Sequence, residues 1–373
     1  MFNVSALLDK LIVTRAARFN SRRCIRHRHK EYPCQLCLEL CPGQAITIQG
    51  TNVQHQEAKC LGCGFCAAVC KNGAFALNEP TYASIMTKAL KNQVLVITCS
   101  NSPPQEGALE IPCPGYLEEN LLAALANHGV KIRIQVDIKN CKTCRFNKGI
   151  VDLKSRILRS QQLVQALGHE LDIANTEAGQ DECGPQPISR AEFFAFFKNK
   201  ARETLAQLGE GTGDNLSDER KDRCLPEKRK LFIETLGKGN QPVLQGRIPA
   251  EGMPMAELEI DRKCTGCGNC TVFCPTGALQ KTVRDGGIVL THRMAHCINC
   301  RLCNQICPER AITYAGQLDL QFLPNQSVRE VIRVSADTCV QCGKVYHQAN
   351  ARGLCPACAN RAKLDAAIDG FFE

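Results

Sequence analysis

The chain has 373 residues, enough for two or three domains, and its hydrophobic fraction of 44% excludes wholesale disorder. Lys and Arg outnumber Asp and Glu by 46 to 37, which gives a formal net charge of +9. Cysteine is the unusual residue, because the chain contains 26 of them. Such a content is typical of either a secreted disulfide scaffold or a metal-loaded protein.

The N-terminal sequence favours the metal-loaded class. Asp9 and Lys10 interrupt the apolar stretch that a secretory signal needs, and Arg22-Arg23 lacks the apolar core that follows a twin-arginine pair. No apolar run approaches the roughly 20 residues of a membrane span. We therefore expect a cytoplasmic protein without a transmembrane segment, whose cysteines are kept reduced and bind metal.

Residues 1–20 are predicted to form an amphipathic helix that leads into a basic stretch. The stretch from residue 11 to residue 30 contains seven Lys or Arg and no acidic residue. Two interpretations remain open: the helix packs on its own domain, or it docks on an acidic partner or a membrane surface.

Residues 21–85 contain the first block of clustered cysteines. Its second run has three cysteines at i, i+3 and i+6 and a fourth four residues on (Cys60, Cys63, Cys66, Cys70). Three thiolates on such a loop can bind one iron–sulfur cubane, whereas the fourth points to a neighbouring cluster. Structural zinc sites use paired CxxC knuckles instead, so the spacing favours clusters.

The first run of this block is incomplete. It consists of Cys34, Cys37 and Cys41, and Glu31 stands where its first cysteine is expected. Cys24 lies ten residues before Cys34, and a loop of that length can bring it back as the missing ligand. The alternatives are a Glu31 or His29 ligand, or a three-iron cluster with no fourth ligand.

Residues 90–170 are predicted to form a small parallel α/β domain. Buried strands are expected at 92–99 and 130–138, and amphipathic helices at 116–128 and 150–167. Binding sites of such sheets gather beyond the carboxyl ends of the strands. We therefore expect four cysteines to meet there: Cys99, Cys113, Cys141 and Cys144.

The stretch from Cys113-Pro-Gly through Gly129 to Cys141-x2-Cys144 resembles the small delta-type subunit of methyl-viologen-reducing hydrogenases. The resemblance implies a [2Fe–2S] cluster and electron transfer between a hydrogenase and a heterodisulfide reductase. It departs from the family after the first strand, where a further cysteine is usual. Zinc and free thiols are the alternatives, and free thiols would make Cys141 and Cys144 a candidate redox pair.

Residues 171–250 are predicted to be a helical connector and linker. Ser189 and Glu192 form a capping box before a helix, residues 209–219 have the composition of a linker, and a further helix is expected at 227–237. Cys183 and Cys224 have no partner at ligand spacing, so we interpret both as incidental thiols.

Residues 251–320 contain two complete runs, each ending in Cys-Pro. The runs are Cys264, Cys267, Cys270 and Cys274, and Cys297, Cys300, Cys303 and Cys307. Residues 256–316 resemble the bacterial two-cluster ferredoxin module throughout. The resemblance implies a pseudo-twofold fold of β-hairpins and helices that binds two [4Fe–4S] clusters with crossed ligands.

Crossed ligation implies one ligand set for each of four [4Fe–4S] clusters. In the second block the sets are Cys264, Cys267, Cys270 with Cys307, and Cys297, Cys300, Cys303 with Cys274. In the first block they are Cys24, Cys34, Cys37 with Cys70, and Cys60, Cys63, Cys66 with Cys41.

Residues 330–373 contain two further CxxC knuckles. Cys339 and Cys342 are separated by twelve residues from Cys355 and Cys358, a spacing that resembles a zinc ribbon. Four thiolates close a tetrahedral Zn²⁺ site with no open position, which indicates a structural role. A rubredoxin-type iron is the alternative.

The predicted fold is therefore α+β and multidomain: two ferredoxin-like 2[4Fe–4S] modules flank the α/β domain, followed by the ribbon. The predicted function is that of a polyferredoxin, which relays single electrons between a donor dehydrogenase or hydrogenase and an acceptor. Formate dehydrogenase or hydrogenase systems are partners by analogy only. The alternative is a thiol/disulfide-active oxidoreductase subunit that uses the middle site.

No acid–base constellation suggests catalytic residues, and the net charge is weak evidence for a nucleic-acid partner. Each four-thiolate site carries about −2 when oxidised, so six loaded sites bring roughly −12 and outweigh the +9 of the side chains.

Overall fold

The computed structural model divides the chain into two compact units, Met1–Ile248 and Pro249–Glu373. The residues that it describes are 16–103, 105–136, 138–175, 223–236, 246–284, 286–347 and 353–372. In these ranges, no helix combines the length and the apolar composition that a membrane span needs.

Several sequence predictions lie outside the described residues. They are most of the N-terminal amphipathic helix, the capping box at Ser189 and Glu192, the linker at 209–219 and Cys183.

The first cysteine block folds into two small antiparallel pairs of strands joined by short helices. Strand β1 pairs with β4, and β2 pairs with β3. The strands are β1 (Arg18–Phe19), β2 (Ile46–Gln49), β3 (Asn52–His55) and β4 (Phe75–Ala76), and the helices are α1 (Ile25–Arg28), α2 (Leu36–Leu40) and α3 (Phe65–Val69).

Helix α3 begins at a glycine that the packing requires. Gly64 has a φ of +79°, in the left-handed region that favours glycine. A Cβ there would lie 2.5 Å from the Tyr116 ring. The backbone before α3 thus packs directly against Tyr116 of the middle domain.

The middle of this unit is a four-stranded parallel sheet in the order β6-β5-β7-β8. Its elements are α4 (Tyr82–Asn92), β5 (Val94–Cys99), β6 (Leu109–Ile111), α5 (Glu119–Asn127), β7 (Lys131–Gln135), α6 (Ile138–Cys141), α7 (Asn147–Ala166) and β8 (Ile173–Asn175). The predicted alternation of strands and helices is confirmed. The boundaries differ: both predicted strands are shorter than expected, α5 begins three residues later and α7 three residues earlier, and Ile138 belongs to a helix rather than to a strand.

The helix predicted at 227–237 is present as α8 (Glu227–Thr235). It packs against α5 and α4, so this late segment completes the helical layer of the middle sheet. The fully buried ring of Phe232 anchors it there.

The second unit contains the second cysteine block. Strand β10 pairs with β13, while β11, β12 and β15 form a three-stranded antiparallel sheet. The elements are β10 (Leu258–Ile260), α9 (Asn269–Val272), β11 (Leu279–Arg284), β12 (Gly287–His292), α10 (Leu302–Gln305), β13 (Ile312–Tyr314), β14 (Gln317–Asp319) and β15 (Arg329–Ser335). Strand β9 (Arg247–Pro249) lies at the junction of the units.

The C-terminal tail has one short antiparallel pair and a helix. The elements are β16 (Asp337–Thr338), β17 (Val345–Tyr346) and α11 (Pro356–Phe372). Its small core contains Cys339, Tyr346 and Cys355, which are buried together. Sulfur atoms therefore take up much of the interior of this segment.

Candidate iron–sulfur and metal sites

One backbone hydrogen bond recurs four times in the two cysteine blocks, which we call repeat 1 (residues 16–76) and repeat 2 (residues 258–314). In each case an amide that precedes one cysteine run donates to the alanine four residues after the last cysteine of the other run. All four N···O distances are 2.8 Å: Asn20 to Ala74, Gln56 to Ala45, Asp261 to Ala311 and Arg293 to Ala278. This bond brings the end of each run beside the start of the other.

Cys24 occupies the backbone position of a first ligand. It follows a 3₁₀ helix, as Cys60 and Cys297 do, and its φ and ψ of −71° and 122° match the −75° and 123° of Cys60 and the −70° and 131° of Cys297. Residues 25–33 therefore form an insertion within the first run. Arg26 holds the insertion closed, since its guanidinium donates to the carbonyl oxygens of Tyr32 and Cys34 at 3.4 Å.

Four thiols of repeat 1 come together at the insertion. Burial, followed by the neighbouring thiolates of Cys70, Cys34 and Cys24, raises the pKa of the Cys37 thiol to about 12. Burial also raises the pKa of Cys24, and Cys70 acts on it in the same direction. These are the four cysteines of one predicted ligand set.

The other four cysteines of repeat 1 line one cavity: Cys41, Cys60, Cys63 and Cys66. Burial, with Cys41 and Cys60 as charged neighbours, raises the pKa of Cys63 to about 12. Residues from both runs thus meet at this site, as crossed ligation requires.

Repeat 2 has the same two groups of thiols. One cavity is lined by Cys264, Cys267, Cys270 and Cys307, and another by Cys274, Cys297, Cys300 and Cys303. Burial, with the nearby thiolates, raises the pKa of Cys270 and of Cys303 to about 12. Each group again takes three thiols from one run and one from the other.

Backbone amides donate to the sulfur of the crossing cysteine in three of these groups. The donor is the amide of the residue four positions after the cysteine. Its nitrogen lies 3.2 Å from the Sγ of Cys41, 3.2 Å from that of Cys70 and 3.3 Å from that of Cys307. Hydrogen bonds to thiolate sulfur are one of the means by which a protein sets the reduction potential of a cluster.

The residues at these sites fit iron–sulfur clusters by the chemistry of their donors. Each group consists of four thiols, the soft ligands that such clusters take. Burial raises the pKa of Cys37, Cys63, Cys270 and Cys303, one thiol in each group, so in the absence of a cation the thiol form of these four is favoured. A bound cluster supplies the positive iron that stabilises the thiolates.

The four cysteines of the middle sheet also meet. Cys113 is buried, and burial, with Cys99, Cys141 and Cys144 as neighbours, raises its pKa to about 12. Cys144 accepts hydrogen bonds from the Asn101 side chain and the Phe146 amide, both at 3.4 Å. The four thiols are therefore neighbours, and their binding of one cofactor stays a prediction.

The tail cysteines form a much tighter group. The ligand atoms of Cys339, Cys342, Cys355 and Cys358 all lie within 4.8 Å of one another, and the sulfurs of Cys342 and Cys355 are 3.7 Å apart. A Zn–S bond of about 2.3 Å in a tetrahedral site separates two sulfurs by about 3.8 Å. Among the described residues, the thiols of the repeats form no group this compact, which agrees with a larger inorganic core there.

Sequence reasoning did not single out His55 and His292, which line two of the cavities. The signal was present, because each histidine lies five residues before the first cysteine of a run. Cys224, which we interpreted as incidental, accepts a hydrogen bond from the Arg23 guanidinium at 2.7 Å.

Two segments of the chain match the family described as "4Fe-4S dicluster domain", residues 32–74 and residues 263–311. Three curated relatives match over short stretches. The chain is 38% identical over 53 residues to "Pyruvate synthase subunit PorD" of Methanocaldococcus jannaschii, which is 14% of this chain and 58% of the relative. It is 36% identical over 50 residues to the subunit of the same name from Thermotoga maritima, 13% of this chain and 48% of the relative.

The third relative is an "Iron-sulfur protein" of Rhodospirillum rubrum, 35% identical over 72 residues, which is 19% of this chain and 32% of the relative. The chain thus spans between 32% and 58% of the length of these three relatives. Residues 32–74 and 263–311 are thus two 4Fe-4S dicluster segments of the ferredoxin type.

Proposed function

We propose that this protein is a polyferredoxin-like electron carrier that relays single electrons between a donor dehydrogenase or hydrogenase and an acceptor. One observation carries the proposal: repeats 1 and 2 each gather their eight cysteines into two groups of four, and each group draws on both runs. Each group is a candidate ligand set for one [4Fe–4S] cluster. Two clusters in one small module lie close enough for electron tunnelling.

The partners that we propose are redox enzymes. Two relatives of the dicluster segments are named as subunits of pyruvate synthase, so domains of this kind occur in multisubunit oxidoreductases. Formate dehydrogenase or hydrogenase partners rest on analogy with polyferredoxins alone. The donor and the acceptor are thus expected to be separate proteins, with this chain as the connection.

For the middle site we propose a [2Fe–2S] cluster bound by Cys99, Cys113, Cys141 and Cys144. Its support is the meeting of the four cysteines and the burial of Cys113, whose raised pKa suits a metal ligand better than a free nucleophile. For the tail we propose one Zn²⁺, supported by the 3.7 Å separation of two of its sulfurs.

Metal analysis of anaerobically purified, full-length protein tests the proposal. Four cubanes and one [2Fe–2S] cluster require about 18 irons per chain, and the four cubanes alone require about 16. One zinc per chain is expected in both cases. Reduction followed by EPR is expected to give signals of interacting [4Fe–4S] clusters. A preparation that binds zinc in place of iron throughout would overturn the proposal.

One variant distinguishes the alternative function, thiol/disulfide chemistry at Cys141 and Cys144, from the proposed [2Fe–2S] site. Cys141→Ser is expected to lower the iron content by about two if the site holds a [2Fe–2S] cluster. Unchanged iron, together with a loss of disulfide reductase activity, would support the alternative. Cys224→Ser is the matched control, since Cys224 belongs to none of the six groups.

A further inference from the structure

The two histidines that line cluster cavities hold the same structural position in separate units. His55 pairs with Ile46 in the ladder of β2 and β3, and His292 pairs with Leu279 in the ladder of β11 and β12. Ile46 and Leu279 each directly follow the alanine that accepts the recurring backbone bond. The duplication therefore sets an imidazole at one equivalent place in each repeat.

Each imidazole is directed at one group of thiols. His55 lines the cavity of Cys41, Cys60, Cys63 and Cys66, and it forms a side-chain hydrogen bond with Cys60. His292 lines the cavity of Cys274, Cys297, Cys300 and Cys303.

The Nε2 atom of His292 lacks a hydrogen-bond partner in the part of the chain that the structure describes. The residue is 4% exposed, and this nitrogen is buried without a hydrogen-bond partner among the described residues. An unsatisfied buried polar atom costs about 1–3 kcal/mol, so a partner is expected. A cluster in the cavity provides acceptors, because its sulfurs and the thiolates that hold it carry negative charge.

The second cluster of each repeat has a hydrocarbon at the equivalent place. Phe19 pairs with Phe75, and Ile260 pairs with Ile312. Because Phe75 and Ile312 directly follow the corresponding alanines, Phe19 and Ile260 occupy the positions that the histidines hold at the other sites. Neither side chain can donate a hydrogen bond. At this ladder position each repeat thus has an imidazole at one site and a hydrocarbon at the other.

We infer that His55 and His292 each donate a hydrogen bond to the cluster of their own site and raise its reduction potential above that of the other cluster in the same repeat. The inference rests on the proposed function, since it requires the clusters to be bound. A donor stabilises the reduced cluster more than the oxidised one, because reduction adds negative charge. The added electron in each repeat then resides mainly on the cluster beside the histidine, so electron transfer between the two clusters is favourable in that direction.

Redox titration of the full-length, cluster-loaded protein tests this inference. His55→Phe and His292→Phe copy the hydrocarbon at Phe19. Loss of one hydrogen bond is expected to change the reduction equilibrium of one cluster by about tenfold, or 59 mV towards lower potential, while the other clusters keep theirs. His55→Asn and His292→Asn retain an N–H donor and are expected to recover part of the shift. His169→Phe, outside both repeats, is the control.

A second measurement uses the unsubstituted protein. With ¹⁵N in the imidazole rings, pulsed EPR of the reduced clusters is expected to detect a weak nitrogen coupling across the hydrogen bond. Absence of that coupling, or unchanged potentials in phenylalanine variants that keep their iron, overturns the inference. Iron and sulfide contents separate this failure from that of the proposed function, in which the unsubstituted protein itself binds no clusters.

Discussion

The ring of Phe65 meets the ring of Phe146 edge-on, with their centroids 6.1 Å apart. Phe65 lies next to Cys66 of repeat 1, and Phe146 lies two residues after Cys144 of the middle site. Both rings are buried in one cluster together with Cys63 and Cys113. Repeat 1 and the middle domain therefore share a core that contains one cysteine from each of two candidate cluster sites.

The fit of this shared core predicts that Gly149→Ala destabilises the first unit. A glycine-to-alanine change inside a helix ordinarily stabilises it by about 1 kcal/mol. Gly149 lies in α7, however, and a Cβ there would come within 2.1 Å of the fully buried Phe65 ring. Overpacking of this kind costs about 1–3 kcal/mol, so we expect a lower midpoint of urea unfolding under anaerobic conditions.

The control for this prediction is the double variant. Phe65→Leu removes the ring that the new methyl group would meet, so the combined cost of Phe65→Leu and Gly149→Ala is expected to be less than the sum of the single costs. Additive costs, or a Gly149→Ala variant more stable than the unsubstituted protein, would contradict the packing argument.

The buried ammonium of Lys228 joins α8 to repeat 1 through hydrogen bonds and to Glu118 of the middle domain through an ion pair, and it predicts a second effect. The Lys228 ammonium donates to the carbonyl oxygens of Ala67 and Ala68 at 3.1 and 2.7 Å, and it lies 3.9 Å from a carboxylate oxygen of Glu118. Both charged side chains are buried. Lys228→Met is expected to lower the free energy of unfolding by about 3–5 kcal/mol, because it leaves the buried Glu118 carboxylate without its cationic partner.

Urea unfolding measures this effect, and α8 itself supplies the control. Lys230 is exposed on the same helix, so Lys230→Met is expected to stay within about 0.5 kcal/mol of the unsubstituted protein. Adding Glu118→Gln to Lys228→Met removes the unpaired charge and is expected to recover part of the loss. Equal effects of the two lysine substitutions on the free energy of unfolding would contradict a stabilising role of the Lys228–Glu118 pair.

The spacing of the cysteines was enough to predict the two repeats, because three thiols at i, i+3 and i+6 leave few alternatives to a cluster. The alternation of apolar strands and amphipathic helices was enough to predict the parallel sheet. The pattern could not predict that Lys228 reaches Ala68, since 160 residues separate them. Such contacts depend on the tertiary path of the chain, and local periodicity carries no information about that path.

The spacing of His55 and His292 before a cysteine run was a signal, but it could not show that either residue lines a cavity. A histidine before a cysteine run is unremarkable as a residue type. The strand register shows that the two histidines hold equivalent positions, because it places His55 opposite Ile46 and His292 opposite Leu279. A pattern of residues alone does not fix which ladder partner faces a cavity.

The position of Cys24 predicts which residue completes the first run. Cys24→Ser is expected to lose between about one and four of roughly 16 cubane irons and to leave the EPR signal of a three-iron cluster if the core survives. Glu31→Gln and His29→Gln are expected to keep the iron content. A loss of iron in either of these, with Cys24→Ser unaffected, would move the fourth ligand away from Cys24.

Metal removal at the tail supplies the last prediction. Cys339, Cys342, Cys355 and Cys358 form a group with the dimensions of a single-ion tetrahedral site, and the first and third of them are buried in the core of the tail with Tyr346. Because few other buried side chains surround them, the ion is expected to supply much of the stability of this segment. Cys358→Ser should therefore lower the zinc content by about one per chain and leave the iron content unchanged. Cleavage by a protease should then become faster between β17 and α11, and a chelator that removes zinc should have the same effect on the unsubstituted protein. If the unsubstituted protein instead contains no zinc and the variant loses one iron, the tail site is of the rubredoxin type, because the same sulfur geometry holds either ion.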